Sequence, residues 1–415
     1  MKVGNQYRIQ TEESAAWNDE FLSQRNQLAN ESHRIEAERD SRVRGRFAEI
    51  VKKLTLVQGQ STVERGIHPL FDSKLPNDAT DRVYVWVRDG WSIDENSVRA
   101  DARQAGNNSP TIYVFIPKRS ADDLRHHLID FKAAVATLEK RGATTSPEGT
   151  EAKAAMETTK QTAEAKIKEL LGDAFLGARV FQAGGTEIVG NDLQAMISEA
   201  ADKSLQRLYP QFGMADHEGW ARAYANAKKG APDALKAVGF EGEPAQNQVC
   251  KSILAFIGPG KKGTDIKTEY DRTPYGWSGD GIDGGVQVLL IAGLIRAADE
   301  RGTIIDPQEL ERRAIGKATF KVESTTVTTA QRIQIRKVMQ ALGIQATPGE
   351  ELASVPQFVQ NAMELANRAG GEAPGPARPN TESLEEIRLA AGNEQLMAIY
   401  NRRDELKKSF DAWDG

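Results

Sequence analysis

Cysteine is almost absent from this chain: Cys250 is the one thiol in 415 residues. That excludes an internal disulfide framework and fits a reducing cytoplasm. Long apolar runs are missing too. No stretch of about 18 apolar residues occurs, so no membrane span is expected. The opening residues, MKVGNQYRIQTEES, lack the apolar segment of a signal peptide. Histidine is scarce, at five residues (His33, His68, His126, His127 and His217), and none form a His-x-x-x-His spacing. A zinc site is therefore not expected. Nor is there a basic excess. The net charge is −5, which does not advertise nucleic acid, although a local patch still can. No serine or cysteine sits in a nucleophile elbow, which leaves no hydrolase argument.

What is present is an ordinary, slightly polar composition, 39% hydrophobic and 27% charged, in a chain long enough for two or three domains. The stretch Ala255–Lys267, AFIGPGKKGTDIK, raises the question of a phosphate-binding loop. Gly258 and Gly263 have the Walker A spacing, but Thr264 stands where lysine is required and Asp265 where Ser or Thr is required. Asp265 would also sit against phosphate charge. The stretch is therefore not read as a P-loop.

The pattern along the chain is mostly α, multi-domain, with a small α/β unit, a winged-helix domain and long helices. Residues 1–80 hold a strand at Tyr7–Gln10, a cap at Thr11 and a long, thinly amphipathic helix or helix pair. Residues 81–142 read strand–helix–strand–helix, with Ser92 and Ser120 as caps. Residues 143–243 hold a long helix starting at Pro147, a hairpin turning at Gly184–Gly185, a helix capped by Asn191, and more helix with Trp220, Tyr224 and Leu235 inside. Residues 244–325 give three helices, with Thr264 and Ser278 capping the second and third, then a hairpin around Glu300–Gly302 and a further strand. That is the order of a winged helix. Residues 326–369 are helical, 370–380 a Gly/Pro linker, and 381–415 a last helix over Glu382–Trp413.

Candidate chemistry is thin. Arg88–Asp89, followed by Gly90 and Trp91, ends a strand, where α/β units place functional loops. The plainer reading is an Arg–Asp pair holding the turn beneath Trp91. In the winged-helix segment, eleven basic residues balance eleven acidic ones between Ala245 and Ser324. The presumed recognition helix opens with Asp280 and Asp283, which would meet phosphates. Gln287 is its one residue suited to reading a base. Lys261, Lys262, Lys267 and Arg272 form a candidate phosphate-contacting patch. The segment divides evenly between nucleic-acid and protein contact.

Several phrases occur together: GNQYRIQTEESAAW, VWVRDGW, SPTIYVFIPKRSADDLR, LYPQF followed by MADHEGW, DALKAVGF, and FIGPGKKGTDIKTEYDRTPYGW. In this order they resemble the C-terminal part of the large P-loop protein family of bacterial BREX phage-defence systems, BrxC, or PglY in the related phage-growth-limitation arrangement. The resemblance runs from about residue 3 to residue 413. It implies an AAA+-like ATPase, with its ATP and Mg²⁺, upstream of a C-terminal fragment; having no Walker A, this chain is itself expected to hold no cofactor and to carry no catalysis. It also implies a cytoplasmic role in anti-phage defence alongside a methyltransferase and other BREX subunits. The expected contacts are with those subunits, with double-stranded DNA, or with further copies of the chain as a purely structural oligomerisation scaffold. An enzyme acting through Arg88–Asp89 is the more distant alternative.

Overall fold

Helices dominate the computed structural model of the chain, with strands gathered into small sheets. The structure describes residues 2–3, 6–7, 12–77, 80–231, 233–348, 351–371, 377–390 and 392–414. The chain divides into two units, residues 1–57 with 64–208, and residues 58–63 with 209–415. Among the described residues, no helix is long and apolar enough to cross a membrane.

The first unit opens with β1 (Lys2–Val3) and β2 (Gln6–Tyr7), an antiparallel pair. Residues 8–10 of the expected strand, and the cap expected at Thr11, lie outside the described residues. The long N-terminal helix is a pair, α1 (Glu12–Asn30) and α2 (Ser32–Lys52). The break is at Glu31, whose ψ of 61° leaves the helical region. The sparse apolar positions are the buried ones: Trp17, Leu28, Ile35, Val43 and Phe47. β3 (Leu56–Gln58) and β4 (Val63–Arg65) then pair, their turn counted with the second unit.

Next come β5 (His68–Leu70), β6 (Tyr84–Asp89), α3 (Glu95–Gln104), β7 (Ile112–Ile116), α4 (Ala121–Arg141), α5 (Pro147–Leu176), β8 (Arg179–Gln182), β9 (Glu187–Ile188) and α6 (Leu193–Leu208). The strands form one sheet in chain order. β5, β6 and β7 are parallel, while β8 and β9 are antiparallel additions. All five residues of β7 are buried, as a central strand covered on both faces requires. Because β8 pairs with β7, one sheet spans the expected boundary at 142/143.

Two expected caps shift by one or two residues. Asp94, not Ser92, caps α3, accepting from Ser97 N at 2.9 Å, while the Ser92 hydroxyl donates to Asp89 O at 3.0 Å. Asp192, not Asn191, accepts from Ala195 N at 3.0 Å. Ser120 precedes α4 without a side-chain cap bond. α5 starts at Pro147 as its φ preference requires, and the hairpin turns on Gly184 and Gly185, both near φ +90°.

The second unit holds α7 (Trp220–Lys228), α8 (Gln248–Ile257), β10 (Lys261–Lys262), α9 (Gly263–Asp271), α10 (Gly279–Ile291), β11 (Ile295–Ala298), β12 (Ile304–Ile305) and β13 (Thr319–Val322). Ser278 caps α10 through Gly281 N at 3.0 Å. Thr264 lies inside the first turn of α9, which begins one residue earlier, so it is not the cap. The four strands make an antiparallel sheet in the order β10-β13-β11-β12. α10 is buried at every position from Gly281 to Ile291. Trp220 packs so near it that a Cβ on Gly284 would lie 2.9 Å from the indole ring.

A separate core of this unit, around Phe358, Leu396, Ile399 and Phe410, joins α11 (Thr329–Gln340), α12 (Val355–Ala369), α13 (Glu382–Leu389), α14 (Asn393–Asn401) and α15 (Arg403–Asp414). The single C-terminal helix expected over Glu382–Trp413 is thus three. Gly392, at φ +57°, interrupts it before α14, and Arg402 leaves helical geometry after it. Within the expected linker, residues 377–380 carry neither helix nor strand, and 372–376 lie outside the described residues.

Candidate nucleic-acid interface

The glycine-rich stretch serves packing. A Cβ on Gly263 would sit 1.8 Å from the carbonyl oxygen of Ile315. Glycine there lets α9 begin directly against that backbone. Lys261 and Lys262 are not in a loop at all. They form β10 and pair with Phe320 and Thr319 of β13.

The five residues singled out from the sequence have different fates. The Lys261 ammonium lies 5.0 Å from the centre of the Phe256 ring. Lys262 is exposed. Lys267 Nζ lies 2.8 Å from Asp283 Oδ1, whose side chain is only 4% exposed. Arg272 is ion-paired with Glu269, one turn earlier. Gln287 has no exposure, and its amide donates to Pro307 O at 2.7 Å. The expectation that Gln287 reads a base is corrected: apolar residues surround α10 because it is a core helix, not a surface one.

The two acids that weighed against phosphate contact are also accounted for. Arg312 Nε binds Asp283 at 2.8 Å, and the same guanidinium binds Asp280. Burial alone would lower the pKa of Arg312. Its bonds to Asp283 and Asp280 outweigh that and raise it. Lys267, Arg312, Asp280 and Asp283 therefore form one ion network that fastens α10 to α9 and to the segment before β13.

A cationic surface is nonetheless present, one layer away, on the outer face of the sheet. Side chains alternate across β11 and β13. Ile295, Ala297 and Phe320 are buried, while Lys321 is exposed and Arg296 is 41% exposed. The register places Arg296 opposite Lys321, and Thr319 opposite both Ala298 and Lys262. Three cations thus share one face of three adjacent strands, which lie about 4.8 Å apart. Glu323 lies 3.8 Å from Arg296 at one end. Burial raises the pKa of Glu323, Arg296 opposes this, and Glu394 adds to it. Lys262 and Lys321 make no ion pair among the described residues. The sequence reading missed Arg296 and Lys321. The period-two alternation in IRAA and TFKV was available to expose them, but their pairing depends on the register of two strands that brings together residues 25 apart in the chain.

At the strand end in the first unit, Asp89 accepts from the backbone N–H groups of Trp91 at 3.0 Å and Ser92 at 3.1 Å. Arg88 does not pair with Asp89. It lies 3.9 Å from Asp101 and over the Trp86 ring. One oxygen of the Asp89 carboxylate, Oδ1, is thus engaged in the turn. A cavity of about 180 Å³ adjoins Trp91, with Arg39, Lys118, Arg125, Glu36 and Asp122 around it. Cys250 is fully buried, and burial pushes its thiol up to about 12. Among the described residues, no group of three His, Cys, Asp or Glu side chains is placed to hold a metal. No family model, curated protein or solved structure matches this chain.

Proposed function

We propose that the chain is a non-catalytic interaction region of a BREX-type anti-phage defence ATPase, resembling the C-terminal part of BrxC, and that it works in the cytoplasm by docking. Its second unit is read as a winged-helix variant. The order α8, β10, α9, α10, β11, β12, β13, with β13 between β10 and β11, supports that reading. In this variant the third helix is core, so DNA contact would pass through the sheet. The observation that carries this reading is the like-charged pair Arg296 and Lys321, directly opposite each other on an exposed face beside Lys262. Such a pair costs stability; Glu323, 3.8 Å from Arg296, offsets part of that cost, while Lys321 and Lys262 have no ion partner among the described residues. Three cations with no base-reading helix suit sequence-independent contact with a phosphate backbone.

The test is fluorescence anisotropy of a labelled duplex against the whole chain at several salt concentrations. A parallel titration uses the Lys262→Glu/Arg296→Glu/Lys321→Glu variant, which leaves Lys267 in its ion network. Binding that weakens with salt and disappears in the variant supports the reading. No binding at low salt removes DNA from it, leaving docking of other BREX subunits, to be sought by pull-down with the methyltransferase and its companions. A scaffold made of further copies is the second reading. It is favoured by apolar side chains left in solvent, such as Leu176 at 75%, Val189 at 85% and Leu389 at 80% exposure. A mass above the monomer that does not change with salt, without DNA binding, would select it.

A further inference from the structure

The second unit also contains a cavity of about 270 Å³ where α7, α10 and α11 meet. Most of its lining is small or apolar and includes Ala231, Ala234 and, from α10, Val288 and Ile291. Arg332 and Arg336 of α11 border it. Those two guanidiniums share one carboxylate. Arg332 Nη1 lies 2.9 Å from Glu351 Oε2, and Arg336 binds Glu351 Oε1. Glu351 has no solvent exposure, and the arginine side chains are only 12% and 23% exposed. Glu243, also on the lining, is exposed and makes no ion pair with either arginine.

Two independent features therefore coincide. One is a partly open space of about 270 Å³ whose lining residues are mostly apolar. The other is a pair of mostly buried guanidiniums that share a single carboxylate, Glu351, and border that space. A mostly apolar pocket with a few convergent charged groups has the constitution of a small-molecule site. Guanidinium geometry suits a planar acid group, which can accept two parallel N–H bonds.

We propose that this cavity binds a small monoanion with an apolar body. Its carboxylate lies on Arg336 and Arg332, and its alkyl or aryl portion lies against Ala234, Val288 and Ile291. The site is independent of the docking role proposed above and stands or falls separately from it.

The experiment is isothermal titration calorimetry with a parallel thermal shift on the whole chain, using octanoate, 1-octanol and acetate as probes. Octanoate is expected to bind saturably, one per chain, and to raise Tm. Octanol, without the charge, and acetate, without the body, should bind at least tenfold more weakly. Arg336→Gln leaves Arg332 and Glu351 as a neutral pair and should weaken octanoate at least tenfold. Ala231→Leu narrows the cavity and should weaken octanoate without touching the arginines. Absence of octanoate binding, or octanol binding as tightly as octanoate, would overturn the proposal on the wild-type chain alone. Octanoate binding that both variants leave unchanged would place the ligand elsewhere and overturn it too.

Discussion

Arg296 on β11 and Lys321 on β13 face each other directly across an antiparallel pair, both on the solvent side of the sheet. Opposed like charges destabilise a sheet, and opposed unlike charges stabilise it, by roughly 0.2–1 kcal/mol. Lys321→Glu is therefore expected to make the isolated chain slightly more stable in urea denaturation. The same change should weaken duplex binding in anisotropy. Stability and binding moving in opposite directions is what a surface kept for an anionic partner requires. Loss of stability in the variant would mean that the lysine serves the fold.

The salt dependence of the wild-type chain gives a second check on this face. If Lys262, Arg296 and Lys321 each neutralise one phosphate, the slope of log K against log salt should be roughly −2.7, at about −0.9 per phosphate. Removing Lys321 as Lys321→Gln should make the slope shallower by about one such step. A slope unchanged by the substitution would take Lys321 out of the contact.

The Asp283 network predicts a stability effect far from any partner. Asp283 is nearly buried and is held by Lys267 and Arg312. Breaking a buried pair by removing one partner typically costs about 3–5 kcal/mol. Here the second cation remains and both cations are partly exposed, so Lys267→Met should cost less, about 1 kcal/mol. Arg312→Met also releases Asp280 and should cost more than Lys267→Met. The double variant should lose more than the sum of the two, because only then is Asp283 left alone. Urea midpoints of the four proteins decide this, and strict additivity would count against a shared network.

How far the sequence could be read follows from which interactions are local. Ser278 capping α10, the Gly184–Gly185 turn and the Pro147 helix start are set within a few residues, and each is visible in the chain. Other helix starts were not. Ser92 is a good cap by residue type, but its N–H and hydroxyl both bond to Asp89, and Asp94 caps α3 instead. The candidate interface was legible only in part. Lys262 was found because it is conspicuous in a glycine-rich stretch. Gln287 was misplaced because an apolar, glycine-containing helix with one amide does not announce whether it lines a groove or fills a core. Arg312 was only one base in a count until folding brought it to Asp280 and Asp283.

Glu323 supplies the pH prediction. Its pKa is raised above the ordinary value of 4.5 by burial, against the opposing field of Arg296. A carboxyl whose folded pKa is raised binds its proton more tightly in the native state. Its contribution to stability is fully present below the unfolded pKa and is lost as pH rises through the folded one. At neutral pH the ionised group therefore opposes folding. Glu323→Gln should stabilise the chain at pH 7, and the gain should shrink as pH falls toward and below 4.5. The substitution also removes the acid beside Arg296, so duplex binding should tighten at pH 7. Urea denaturation at pH 7 and pH 4, with anisotropy at pH 7, reads both effects. A variant destabilised at pH 7 would show instead that the Arg296–Glu323 attraction outweighs the burial of the carboxylate. The acid would then belong to the structure of the sheet, not act as a brake on its cationic face.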